Sequence, residues 1–393
     1  STGAQSLGGG TIAGNLDGAG AITAASGTTN ITGAVTNAAS FSVTGGTVNV
    51  NGAGTIDTAG NTVSVSAGAL STDGGALEAA ATATVSGTGT LSTSGTEAIT
   101  AINQTGGTVG GSGTFNLSGA FTQSGGTTGG SVDINAATFT QSGGATVAAG
   151  TTVTSTGAQT LQGGTIAGAL DGAGAVTVNT GTTTLTGTIS STSIDIQAGG
   201  TLSSNGGGLA AAAAVTNNGA LALTGGGDES IANMNGTGTT NLSGGSILTL
   251  NTGVSNINGV ISGAGGLTVA GGTTNLGAVN TYSGATTVNS GGTLNVLAAG
   301  AIAGASTVNA GGIMTNAGTV ADVSNAGSFT NSGTAGELVN TGAGFGSNTG
   351  TLAGLVHNST GTFDNAGAVN GGTSISNGVV NLNAGSNLSD TDT

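Results

Sequence analysis

The 393-residue sequence contains no lysine, no arginine, no cysteine, no proline and no tryptophan. With no basic side chain, nothing can neutralise phosphates and release their counterions, so nucleic acid and anionic membranes are excluded as partners. With no cysteine, the chain suits export through a periplasm that would oxidise stray thiols, and it equally suits chance depletion in a low-complexity sequence. Seven phenylalanines, one tyrosine and two methionines are too few for a single globular core of this length. No apolar stretch approaches the roughly 20 residues of a membrane-spanning helix. The first residues carry neither a positively charged region nor an apolar leader, so the chain reads as a mature or excised segment. Charged residues make up only 4%, all of them acidic, and the net charge is −15.

What remains is 84 glycines in a background of Thr, Ser, Asn and Ala, with 36% hydrophobic residues. That apolar content is too high for a disordered chain and is spread over small side chains. Such a composition suits a thin core repeated along an axis, where each coil buries a few Val, Ile, Leu or Ala side chains against its neighbours. Strand-like alternation supports this: Thr47-Val48-Asn49-Val50 and Thr293-Leu294-Asn295-Val296 place apolar residues at every second position. The run Ala210 to Ala214 is short and flanked by glycine, and is expected to be a strand or corner and not a helix.

Internal repeats make the coil measurable. The stretch from Ser1 to Gly33 aligns without a gap to Ser155 to Gly187, and roughly three quarters of the aligned positions are identical. That offset is 154, whereas Leu77 matches Leu209 and Glu97 matches Glu229 at an offset of 132. A solenoid gains or loses whole coils, because a fractional coil would rotate every later side chain out of register. The difference of 22 is therefore taken as one coil, with seven coils in the longer offset and six in the shorter. The expected architecture is all-β, a right-handed parallel β-helix (β-solenoid) of about 20 coils of roughly 15–23 residues. It is expected to form one continuous rod with four regions. Residues 1–154 are the first copy of the duplication, and 155–262 are a second copy one coil shorter. Residues 263–311 form a distinct repeat, and 312–393 form shorter coils with a polar tail.

In the last region the texture changes to Asn-small-Gly triplets, including Asn316-Ala317-Gly318, Asn331-Ser332-Gly333, Asn348-Thr349-Gly350 and Asn365-Ala366-Gly367. They are expected to be bends, where Asn and Gly tolerate positive φ.

The run Asn280-Thr281-Tyr282-Ser283-Gly284-Ala285-Thr286-Thr287-Val288, leading into Gly292-Thr293-Leu294-Asn295-Val296, resembles the autotransporter-associated β-strand repeat. The recurring Phe-Thr-Gln-Ser-Gly-Gly at Phe121 and Phe139 is similar to segments of haemagglutinin-like adhesins. This resemblance implies an extracellular β-helical passenger or stalk, secreted or held on a Gram-negative cell surface, used for adhesion, aggregation or display. The family's usual Lys is replaced by Thr268 beside Leu267, and the exporting membrane barrel is not in the sequence.

The candidate chemistry is sparse. His357 is the only histidine and is expected at the surface or a coil edge, which leaves no triad to assemble. Asp228-Glu229 is the one adjacent acidic pair, but neighbours in a strand point to opposite faces. Asp17 and Asp171, in Leu-Asp-Gly-Ala-Gly segments, are expected to be turn residues, with weak calcium binding left open. Asp390 and Asp392 belong to a polar tail. Gly8-Gly9-Gly10 is followed by no lysine and is expected to be a corner. Thr151-Thr152-Val153-Thr154 and Thr182-Thr183-Thr184-Leu185-Thr186 would form an ice-binding array if they stacked in register on one flat face. No catalytic, cofactor-binding or metal-binding residue is assigned, no cofactor is expected, and the chain is read as a non-enzyme. Its expected partners are itself, by end-to-end association, or a host or abiotic surface. The alternative function is a ligand-binding solenoid for ice or a carbohydrate surface.

Overall fold

The computed structural model describes residues 3–18, 20–78 and 81–388. The chain divides into two compact units, residues 1–193 and 194–393. Both are parallel β-solenoids, with about 20 turns in all. Among the described residues the only helical element is a single 3-10 turn, Ser243–Gly245.

In the first unit a turn consists of three short strands, exemplified by Ser40–Val43, Thr47–Val50 and Thr55–Ile56. Each lies parallel to its counterparts one turn away: Phe41 pairs with Ile22 and Val63, Val48 with Thr29 and Leu70, and Ile56 with Val35. Period-two alternation decides which side chains enter the core. Phe41, Val43, Val48 and Val50 are fully buried, while the residues between them face outward. Each strand thus contributes about two side chains, and a sequence with few large residues still fills the interior.

Register sets the length of a turn. Eight successive pairings lead from Gln5 to Gln159 through Ile22, Phe41, Val63, Ala83, Ile102, Phe121 and Phe139. The shortest step runs from Gln5 to Ile22 and the longest from Phe41 to Val63. The longer sequence offset therefore holds eight turns and not the expected seven, and the expected coil of 22 is too long as a mean. Only the step from Phe41 to Val63 reaches 22, and it lies where the two copies lose alignment. The difference in offset measured that turn and not the mean.

In the second unit Glu229, Leu248, Leu267 and Thr286 follow one another at equal intervals. Beyond residue 312 the turns contract, as the pairings of Met314 with Phe329 and of Phe329 with Gly346 show. Ala210 to Ala213 makes a corner closed by an Ala213 N–H bond to the Ala210 carbonyl at 2.8 Å, before the strand Ala214–Asn217.

The Asn-small-Gly triplets differ from expectation. Among the described residues the only non-glycine positions with positive φ are Asn37 and Ala59. Asn316, Asn331, Asn348 and Asn365 are instead buried strand residues with their amides inside the solenoid. The glycines two positions on, Gly318, Gly333, Gly350 and Gly367, form a column so close-packed that a Cβ on any of them would strike the carbonyl of the previous turn. Close approach, and not backbone handedness, selects glycine there.

Candidate functional site

Polar side chains inside the solenoid form columns that run from turn to turn. In the first unit Phe121 and Phe139 stack at 5.4 Å, and two positions on, Gln104, Gln123 and Gln141 lie fully buried above one another. Gln123 Nε2 donates to Gln104 Oε1 at 3.1 Å, and Gln141 Nε2 to Gln123 Oε1 at 3.3 Å. Each Nε2 also donates to a carbonyl of the following turn, that of Thr127, Thr146 or Thr165. In the second unit the Asn316, Asn331, Asn348 and Asn365 amides bond in sequence, Nδ2 to Oδ1, at 2.8 Å throughout. A shorter column runs from Asn325 to Asn340 at 2.8 Å and on to His357 Nδ1 at 3.3 Å. Buried amides are tolerable only because nearly every donor and acceptor has a partner.

The duplicated glutamates are internal staples. Glu97 is fully buried and accepts the backbone N–H groups of Ala76 and Leu77 at 3.3 and 2.9 Å. Glu229 accepts those of Gly208 and Leu209 at 3.3 and 3.1 Å, and the Ser204 hydroxyl at 3.0 Å. Both carboxylates therefore hold the same corner one turn earlier. Burial pushes the Glu229 carboxyl above the usual carboxylate range, against the pull of its hydrogen bonds. Asp228 points outward and accepts the Ile247 N–H at 2.8 Å, so the acidic pair is split between core and surface.

The Asn280 to Val288 motif has a structural basis. Asn280 is buried and joins turns: Oδ1 accepts the Ile261 N–H at 2.9 Å, and Nδ2 donates to the Ala278 and Ala301 carbonyls at 2.9 and 3.1 Å. Tyr282 is buried with its hydroxyl 2.6 Å from Thr286 Oγ1, and desolvation raises its pKa to about 12. Val288 completes the inward set.

The other candidates are scattered. His357 is fully buried in the short amide column and not at the surface; the alternation that turns Leu355 inward carries it into the core as well. Asp17 ends the strand Leu16–Asp17, where Asn37 Nδ2 and Thr36 Oγ1 donate to it at 3.3 and 3.0 Å and hold its carboxyl below the usual range. Asp171 faces outward at the end of Ala169–Asp171. Gly9 and Gly10 have positive φ at a corner. Asp390 and Asp392 lie outside the described residues. Among the described residues no three acidic or imidazole groups gather where a metal ion could sit.

The outer surface carries the regular features. The two Thr-rich segments do not share a face: Thr152 pairs with Asp133 and Ala169, whereas Thr184 pairs with Thr165. Thr184 instead belongs to a column of one residue per turn, running through Thr28, Thr47, Ala69, Thr90, Thr108, Thr127, Thr146 and Thr165. Eight of these nine side chains are threonine, at a spacing of about 4.8 Å per turn. On another face of the first unit Asn116 and Asn135, bonded at 2.8 Å, border an open groove of about 620 Å³ floored by Ile99, Leu117 and Ala136. In the second unit Asn256, Asn275 and Asn295 make an outward amide column at 2.7 and 2.8 Å.

The chain matches no known protein family, no curated protein and no solved structure.

Proposed function

We propose that this chain is a structural or adhesive surface element of a Gram-negative-type bacterium, a solenoid stalk or fibre subunit acting without catalysis. The observation that carries this reading is the use made of the polar side chains. Among the described residues, interior Gln, Asn and Glu are committed to holding turns together, the Thr, Ser and Asn outside repeat in columns, and no three acidic or imidazole groups gather at one point. A catalytic site needs acid, base and positioning groups within reach of one substrate atom. The resemblance of the Asn280 to Val296 motif to the autotransporter-associated repeat supports reading the chain as a secreted passenger. Surface labelling of intact host cells with an antibody tests location; labelling only after lysis refutes it. Sedimentation and electron microscopy over a range of concentrations test self-association: fibres or concentration-dependent oligomers are expected, and monodisperse monomers throughout refute the fibre form.

The threonine column supports a second reading, a solenoid that binds an ordered surface such as ice or a crystalline carbohydrate. A rigid hydroxyl row with constant spacing presents a lattice and not a pocket. Thermal hysteresis or retention on insoluble polysaccharide is expected on this reading, and null results in both remove it.

A further inference from the structure

His357 is the one member of the interior amide columns that can change its charge. It occupies the third position of the column Asn325, Asn340, His357, whereas the parallel column has asparagine at all four positions. The polarity of the short column is set from below. Asn325 Nδ2 donates to Asn340 Oδ1, which turns the Asn340 NH₂ toward His357 Nδ1. Nδ1 must therefore accept, so the ring is neutral with its proton on Nε2. Nε2 is buried, makes no well-formed hydrogen bond, and lies beside Gly378, where a Cβ would press upon it. The next layer is the strand Thr373–Leu382, in which Ile375 pairs with His357 and most residues are exposed.

Among the described residues no charge faces the ring. In the strand beneath, Thr334–Gly342, Glu337 is exposed. In the ring's own strand, Asp364 faces outward and accepts from Asn381 Nδ2 at 2.6 Å. The strands Thr373–Leu382 and Phe345–Asn348 contain no titratable residue, and the nearest ring is that of Phe363 at 6.3 Å.

We propose that His357 is an acid-sensitive latch whose protonation releases the strand Thr373–Leu382 from the turn beneath it. An imidazolium would present Nδ1–H to the Asn340 NH₂, donor against donor. Turning the Asn340 amide to relieve this sets its NH₂ against that of Asn325 and moves the conflict down the column. The new charge has no counterion among the described residues, and a buried unpaired charge is costly. The largely exposed strand above the ring is the layer that gives way with the least loss of packing. Burial holds the imidazole pKa below its ordinary 6.5, outweighing the opposing pull of the Gly361 backbone. The unfolded chain therefore binds this proton at higher pH than the folded one. The latch is fully closed above about pH 6.5 and weakens as pH falls below it.

The test is amide hydrogen exchange, read as protection factors from peptic peptides at about pH 7.5 and about pH 5. We expect protection of residues 373–382 to fall at least about tenfold at the lower pH, with residues 247–296 unchanged. His357→Asn completes the asparagine column and should abolish the drop. No drop in the parent, or the same drop in His357→Asn, overturns the proposal, the second outcome assigning it to carboxylates. Should that variant fail to fold, the ring of this sole histidine can be titrated by NMR in the parent protein. Its midpoint should lie below 6.5 and coincide with shifts in the amides of residues 373–382. A ring that titrates without moving those amides overturns the latch.

Discussion

Two asparagines that sit in amide–amide columns, one inside the solenoid and one outside, provide a direct test of what holds it together. Asn331 lies inside the second unit: its Oδ1 accepts from Asn316 at 2.8 Å, and its Nδ2 donates to Asn348 Oδ1 at 2.8 Å and to the Thr351 carbonyl at 3.1 Å. Asn275 lies outside: its Nδ2 donates to Asn256 at 2.7 Å and its Oδ1 accepts from Asn295 at 2.8 Å. Substitution of Asn275 by alanine exposes its partners to water, which replaces both bonds, so the cost should stay within about 0.5 kcal/mol. Substitution of Asn331 leaves groups that no water reaches. Asn316 Nδ2 retains the Thr334 carbonyl and Asn348 Oδ1 retains the Gly350 N–H, so neither is orphaned completely. Three broken buried bonds, to Asn316, Asn348 and the Thr351 carbonyl, at about 1 kcal/mol each give roughly 3 kcal/mol. Urea unfolding followed by circular dichroism measures both variants, and equal m-values confirm that the same transition is compared. Equal costs, or a smaller cost at Asn331, would refute the argument that burial and not bond geometry sets the value of these columns.

Other outcomes follow from the same interior. Glu229 keeps its proton to higher pH in the folded state than in the unfolded chain. Its contribution is therefore fully present below pH 4.5 and is lost as pH rises through the folded pKa. Glu229→Gln cannot ionise and should flatten that part of the melting profile; an unchanged slope would contradict it. Tyr282 is the only tyrosine, so absorbance titration follows it alone: the phenol should ionise near 12 when folded and near 10.0 in urea, and an ionisation near 10 in the native protein would show that the ring is not buried. With no Lys or Arg there are almost no ion pairs to screen, so raising the salt concentration should move the melting point little, and a large shift would point to electrostatic organisation absent from this fold.

Much of the architecture is legible because period-two alternation is a local property. Thr47-Val48-Asn49-Val50 faces two ways in any parallel stack, and its neighbours differ only in which small residue they offer. The same logic applied to Phe121-Thr122-Gln123 places Gln123 inside with Phe121, but glutamine is ordinarily counted as surface. Residue type misplaces His357 for the same reason: imidazole suggests the edge, and a position two along from Leu355 puts it in the core. The Asn-small-Gly triplets are mistaken for positive-φ bends because asparagine serves both as a bend residue and as a ladder residue.

By itself the sequence determined a repeating, parallel, thin-cored solenoid and the exclusion of basic-residue chemistry, since composition and periodicity act within a few residues. Only the tertiary structure decided the length of each turn, the inward course of the Gln, Asn and Glu columns, and the alignment of single threonines into a row. Those depend on which residue lies one turn away, and that separation differs between the pairs Met314–Phe329 and Phe41–Val63, so no fixed spacing in the sequence reveals it.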